Sequence, residues 1–62
     1  MIDKLNELIG KKIKILGEEE IVLFNGKLDA FEYGEENKVI VIVSNKTEKT
    51  IQEDDIKEIM EI

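Results

Sequence analysis

The sequence predicts a mainly β domain, in which a short N-terminal α-helix precedes a five-stranded antiparallel small barrel. Three observations carry this prediction: eleven Ile and four Val residues stand in short runs, Gly, Asn and acidic clusters separate those runs, and Gly26 interrupts the longest predicted strand. Ile and Val favour strands, whereas Gly, Asn and Asp favour turns. With 62 residues, the chain has the length of one domain.

Residues 2–9 are predicted to form the helix. Their apolar side chains recur at helical spacing, and Gly10 is placed to end the helix in a left-handed conformation. A helix this short is not stable alone. We therefore expect its apolar side to pack on the rest of the domain.

Alternating segments predict the first two strands. Residues 11–16 alternate between lysine and isoleucine, which is typical of a half-buried strand. Residues 20–32 are expected to form a longer second strand, and Gly26 at its middle indicates a bend or a bulge. A long strand with such a bend would let a small barrel turn a corner and join both halves of its sheet.

Three further strands complete the predicted barrel. They span residues 38–44, 49–52 and 58–62, with turns at the polar segments between them. The last stretch has an alternative, because Ile56 and Ile59 lie at helical spacing behind an acidic cluster that suits a helix N-terminus. We favour the strand, preceded by a tight turn.

The strand predicted over residues 38–44 is apolar on both faces. Side chains alternate along a strand, so its valines point one way and its isoleucines the other. The barrel interior accepts one set, and the helix or a partner subunit must cover the other. A domain this small, without disulfides, often gains stability by oligomerising. We expect a homo-oligomer, and the candidate interface residues are Val39, Ile40, Val41, Ile42 and Val43.

Composition disfavours nucleic acid as a partner, although Lys11, Lys12 and Lys14 could form a local basic patch, and it excludes some cofactor sites. Fifteen acidic residues against nine lysines, with no arginine, give a net charge of −6, which repels the phosphate backbone of nucleic acids. The chain has neither Cys nor His, so it forms no disulfide and no Cys/His zinc site. Its longest apolar run has five residues, far fewer than the roughly 20 of a membrane-spanning helix. We expect a soluble, cytoplasmic protein that binds neither free nucleic acid nor a membrane.

The sequence predicts no catalytic or cofactor site. Nucleophilic catalysis needs a hydroxyl or thiol beside a base, and the chain has no His that could act as the base for its hydroxyl-bearing residues. The glycines fit neither the dinucleotide fingerprint nor the P-loop spacing. The acidic clusters lack the spacing of a calcium loop. We therefore expect a non-enzymatic protein without cofactor or metal.

Two aromatic residues form a candidate contact site for a ligand or partner. Phe31 and Tyr33 lie at the end of the long predicted strand, close to Asn37 in the next turn. Exposed aromatic rings can stack on a base or on a peptide side chain. In the alternative interpretation, Phe24 and Phe31 belong to the core and Tyr33 caps the barrel mouth.

Three stretches of the chain resemble the small SH3-like barrels of the Sm-like kind. Residues 8–15 resemble the junction between helix and first strand, residues 24–31 the bent second strand with its Gly, Leu and aromatic residue, and residues 54–59 the turn into the last strand. The spacing is also similar to that of the C-terminal barrel of bacterial ribosome maturation factors and of several small Gram-positive barrels of unknown role. The resemblance implies a fold and not a function.

The base-binding residues of Sm proteins are not matched. The family holds a base between an Asp-x-x-x-Asn-type loop and an Arg-Gly pair before the last strand. Here residues 32–37 are one residue too long for that loop, and residues 53–55 are acidic where the family is basic. Asn37 alone corresponds to the family's loop.

These observations predict a small binding module that self-associates through strand edges and an apolar strand face. The alternative is a small acidic inhibitor, of the kind that phages and mobile elements carry, that blocks a basic protein surface or sequesters a small nucleotide ligand. A third interpretation is a ribosome- or RNA-associated Sm-like adaptor, which the negative charge and the unmatched base-binding residues disfavour.

Overall fold

Six β-strands form two antiparallel sheets, and one short helix precedes them. The computed structural model describes residues 2–62. The elements are α1 (Ile2–Glu7), β1 (Lys12–Leu16), β2 (Val22–Lys27), β3 (Ala30–Gly34), β4 (Val39–Ser44), β5 (Thr47–Gln52) and β6 (Glu58–Glu61), with short 3₁₀ turns at Glu18–Glu20 and Glu53–Asp55. The first sheet has the strand order β2-β1-β6, and the second has the order β3-β4-β5. The predicted class, mainly β with a short N-terminal helix, is confirmed.

The helix α1 ends at Glu7, before its predicted end, and a turn follows. Gly10 closes this turn with φ of +89°, the left-handed conformation that the sequence predicts. Its N–H donates to the carbonyl oxygen of Leu28 at 2.7 Å. Leu5 and Leu8 are both buried. The helix therefore packs its apolar side on the rest of the domain, as expected.

The predicted long second strand is two strands, one in each sheet. The N–H of Leu28 donates to the carbonyl of Lys11 at 2.9 Å and extends the first sheet, whereas the N–H of Asp29 donates to the carbonyl of Val43 at 2.9 Å and extends the second. The chain passes between the sheets at these two residues, and not at Gly26, which lies within β2. Because the side chain of Leu28 is fully buried, core packing holds the corner in this place.

The two sheets do not close into the predicted five-stranded barrel. β6 is an outer strand of the first sheet and β5 an outer strand of the second, and within residues 2–62 they do not pair with each other. Side chains from both sheets and from the helix meet in one core. Its buried members are Leu5, Leu8, Ile13, Ile15, Leu28, Ile40, Ile42, Ile51, Ile56 and Ile59. Full burial of such a side chain stabilises the fold by about 1.5–3 kcal/mol.

The C-terminal segment ends as a strand, as we favoured from the sequence. A 3₁₀ turn precedes β6. The N–H of Lys57 donates to the carbonyl of Leu16 at 2.8 Å, and the N–H of Ile62 donates to the carbonyl of Lys12 at 2.9 Å. These bonds extend the pairing of β6 with β1 beyond both ends of β6. Ile59 of β6 is buried in the core.

A two-residue turn joins β4 to β5. Asn45 and Lys46 have φ of +51° and +65°, the left-handed pair that matches the twist of a tight hairpin. β5 begins at Thr47, earlier than the start predicted at residue 49. The second sheet is therefore longer at this end than the sequence indicates.

Gly17 lies buried where the turn after β1 meets the C-terminal part of the chain. A Cβ atom added here would stand 3.2 Å from the carbonyl oxygen of Asp55 and 3.2 Å from Cγ of Leu23. The absence of a side chain thus permits a close approach of backbones. The sequence alone indicated only a turn at this point.

Candidate interaction surface

The two faces of β4 have different environments. Ile40 and Ile42 have no exposed surface and point into the core. Val39, Val41 and Val43 alternate with them and remain partly exposed on the outer side of the second sheet. The structure therefore divides the predicted two-faced strand into an inner isoleucine set and an outer valine set. We call the outer set, with the residues beside it in β3 and β5, the valine face.

Two acidic residues flank the valines. Cross-strand register places Glu32 of β3 beside Val41, and Glu48 of β5 beside Val43. The other neighbours on this face are Ala30, Gly34, Thr50 and Gln52. No lysine belongs to this set. The valine face is thus an apolar row with acidic side chains on both sides.

The N-terminal helix does not cover the valine face. Its buried residue Leu5, and Leu8 in the turn that follows it, belong to the core cluster that contains Ile40 and Ile42. Side chains that alternate along a strand point to opposite sides of the sheet. The helix therefore packs on the inner side of β4, and the valines remain open to a partner.

The outer strands β5 and β6 each have a free edge. The N–H of Glu53 donates to the carbonyl of Lys38 at 2.8 Å, so it points towards β4, and pairing direction alternates along an antiparallel strand. The residues whose backbone groups consequently point away from the neighbouring strand are Glu48, Thr50 and Gln52 in β5, and Ile59 and Glu61 in β6. Unpaired edges of this kind can pair with a strand of another chain.

The aromatic candidates face inward. Phe31 and Tyr33 are half-buried and pack against the core, as Phe24 does. The hydroxyl of Tyr33 donates to Oε1 of Glu53 at 3.0 Å. Asn37 lies exposed in the turn after β3. The two aromatic side chains therefore pack on the core, while Asn37 is exposed in the turn.

Glu53 changes the acid–base behaviour of Tyr33. The hydrogen bond to the Glu53 carboxylate raises the pKa of the Tyr33 phenol above its ordinary value of 10.0, because this bond exists only while the phenol keeps its proton. Partial burial and the nearby negative charges of Glu53, Glu35 and Asp54 raise the pKa further. The group remains a neutral phenol at physiological pH and acts as a hydrogen-bond donor.

Two open depressions mark the surface. One, of about 260 Å³, lies between β2 and β5, and another, of about 250 Å³, lies beside Lys4 and β6. Ligand pockets typically have about 300–1,000 Å³, so both are small for a drug-sized molecule. The first is bordered by Val22, which is 51% exposed. This depression depends on how the two sheets meet, which local sequence patterns do not reveal.

Across residues 2–62, the acidic side chains form no group of three or more that could hold a metal ion. In the same part of the chain, the helix is too short to cross a membrane. Comparisons of the chain with models of protein families, with curated proteins and with solved structures find no match.

Proposed function

We propose that the protein is a small non-enzymatic binding module that self-associates through the valine face and the free edges of its sheets. The observation that carries the proposal is the outward position of Val39, Val41 and Val43 while the isoleucines of the same strand fill the core. Burial of apolar surface contributes roughly 25 cal/mol per Å². A second subunit over this row would therefore add apolar burial that the single chain lacks.

The size of the domain supports the same proposal. A domain of about 60 residues buries only about 60% of the surface that its unfolded chain exposes, and its stability is correspondingly small. With no Cys and no His, the chain gains nothing from disulfides or a zinc site. Association is the remaining common source of stability for small domains.

The free edges of β5 and β6 provide a second route to association. Each presents backbone donors and acceptors that a strand of another copy could pair with. A relationship to the SH3-like and Sm-like barrels is part of the proposal, because edge-to-edge pairing closes related barrels into rings. The passage of the chain between two sheets at Leu28 and Asp29 supports this relationship, since it is what the bent second strand of such barrels does.

Light scattering coupled to size-exclusion chromatography tests self-association directly. The wild-type protein at micromolar concentration should have the mass of several chains. Val41→Glu should lower the mass, because it places a charge in the centre of the valine face. Ile9→Glu is the matched control, since Ile9 is an exposed apolar residue in the turn after the helix and lies outside this face.

Ile40 is unsuitable for this test. Its side chain is fully buried, so Ile40→Glu would unfold the domain whether or not it associates. A wild-type mass of one chain in light scattering would contradict the proposed function. Thermal denaturation of Val41→Glu, monitored by circular dichroism, separates loss of association from loss of folding.

A further inference from the structure

The outer face of the first sheet carries a cluster of lysines. Lys12 of β1 stands directly opposite Lys27 of β2, and Lys14 follows on the same face of β1, next to Asn25 and Met60 of the neighbouring strands. Two of these positions belong to the alternating segment of the sequence, but Lys27 joins them only through the register of β2. We call Lys12, Lys14 and Lys27, with the residues beside them, the lysine face.

Among residues 2–62, no acidic side chain forms an ion pair with Lys12, Lys14 or Lys27. The ion pairs among residues 2–62 join Lys11 to Glu61 and Lys57 to Glu18, each at 3.7 Å. Like charges directly opposite each other on a sheet are destabilising. In a chain with fifteen acidic residues and only nine lysines, this face therefore presents a local concentration of positive charge that an acidic surface can complement.

The lysine face also carries apolar surface. Leu16 and Met60 are half-buried there, and Val22, paired with Leu16, is 51% exposed. One acid, Glu58, lies opposite Leu16 towards the far end of the sheet from Lys12. The surface is therefore apolar at one end and basic at the other.

The valine face has the complementary character. Its apolar residues are flanked by Glu32 and Glu48, and none of its positions is basic. We propose that the valine face of one copy docks on the lysine face of the next copy, with Glu32 and Glu48 placed against Lys12, Lys14 and Lys27. This inference rests on the proposed self-association and names the surfaces that meet.

Charge decides between this arrangement and a symmetric one. Two valine faces packed against each other would bring Glu32 and Glu48 of both copies together, and two lysine faces would bring the lysines together. Pairing unlike faces puts opposite charges in contact and removes both repulsions. Such an interface uses a different surface on each subunit, so it builds a ring or an open chain of subunits rather than a closed symmetric dimer.

Charge reversal with light scattering tests the inference. One variant carries Lys12→Glu, Lys14→Glu and Lys27→Glu, and the other carries Glu32→Lys and Glu48→Lys. Each variant alone should lose the assembly, because its two docking faces then have the same sign. An equimolar mixture should regain the assembly, since the altered lysine face of one variant has the opposite charge to the altered valine face of the other, and their two unaltered faces also have opposite charges.

Matched controls distinguish an effect of the two docking faces from an effect of net charge. The control for the lysine variant carries Lys4→Glu, Lys38→Glu and Lys46→Glu, which change the net charge by the same amount at lysines outside the lysine face. The control for the glutamate variant carries Glu7→Lys and Glu36→Lys, outside the valine face. Both controls should assemble as the wild type does. Circular dichroism of every variant verifies folding, and recovery in the mixture would itself show that the reversed variants fold.

Each outcome of the charge-reversal experiment supports or overturns the inference. A monomeric wild type would overturn both this inference and the proposed function. A wild-type assembly that survives both reversals would overturn the inference alone and leave association through strand edges. Loss with the glutamate reversal but not with the lysine reversal would also overturn it, because the lysine face would then take no part in the assembly.

Discussion

The carboxylate of Asp29 accepts a hydrogen bond of 2.7 Å from the backbone N–H of Asn45. Asp29 is the residue at which the chain enters the second sheet, and Asn45 begins the tight turn between β4 and β5. One side chain thereby links the passage between the sheets to the turn of the hairpin that carries the valine face. The contact therefore adds to the core packing that holds the hairpin against the rest of the domain.

Asp29→Ala should destabilise the domain through the loss of this contact. A hydrogen bond contributes about 0.5–1.5 kcal/mol to the free energy of unfolding, and the exposure of Asp29 places the expected loss at the lower end of that range. Asp29→Asn keeps an acceptor oxygen and should lose less. Urea denaturation of both variants measures the difference, with Glu36→Ala as the control. Equal midpoints for Asp29→Ala and the control would contradict the prediction.

Local patterns in the sequence predicted most elements of the fold. The alternation over residues 11–16, the apolar strand over residues 38–44 and the left-handed conformation of Gly10 each depend on neighbours in sequence, and each is confirmed. The helix itself ends earlier than predicted, at Glu7. The final strand is confirmed as well, although Ile56 and Ile59 also fit a helical spacing. The C-terminal segment forms a strand because it pairs with β1, and that pairing depends on residues distant in sequence.

The features that the sequence did not predict depend on contacts between distant segments. The corner at Leu28 is held by burial of a side chain in a core built from every element, whereas Gly26 only indicated that a bend was possible nearby. Whether the valines or the isoleucines of β4 lie on the outer side depends on which face of the second sheet packs on the core. The cluster of Lys27 with Lys12 depends on register across a turn of irregular shape.

Gly10→Ala should cost about 1–2 kcal/mol of unfolding free energy, the usual cost of left-handed backbone for a residue with a Cβ. The φ of Gly10 is +89°, and no atom lies within 4 Å of the position of an added Cβ, so backbone strain alone is measured. Gly34→Ala is the control, because the nearest atom to its added Cβ is the carbonyl oxygen of Val39 at 3.7 Å, an ordinary contact. Chemical denaturation should show a loss for the first variant only.

Gly17→Ala should destabilise the domain by steric overlap. The added methyl group would lie 3.2 Å from the carbonyl oxygen of Asp55, and backbone moves less readily than a side chain. Overpacking of this kind typically costs about 1–3 kcal/mol. At Gly26 the nearest atoms are Cζ of Phe24 at 3.3 Å and Oγ of Ser44 at 3.4 Å, both in side chains. Gly26→Ala should therefore cost less than Gly17→Ala, and the β-branched Gly26→Val should cost more than Gly26→Ala.

Thermal denaturation of these glycine variants gives the order of their midpoints. If Gly17→Ala melts with the wild type, the close approach of the two backbones is not a constraint on the fold. If Gly26→Val also melts with the wild type, the space beside β2 is open and its neighbours adapt freely.

Tyr33 should ionise above pH 10.0, and Glu53→Ala should lower its pKa towards that value, because the hydrogen bond to Glu53 is the largest cause of the upward shift. Tyr33 is the only tyrosine and the chain has no tryptophan, so the near-ultraviolet absorbance of tyrosinate reports this residue alone. Because the folded pKa is raised, the contact stabilises the fold fully below the pKa of the unfolded chain and is lost as the pH rises through the folded pKa. Glu7→Ala, far along the chain in α1, should leave the titration unchanged. A titration midpoint that is the same in the wild type and in Glu53→Ala would show that the bond does not form in solution.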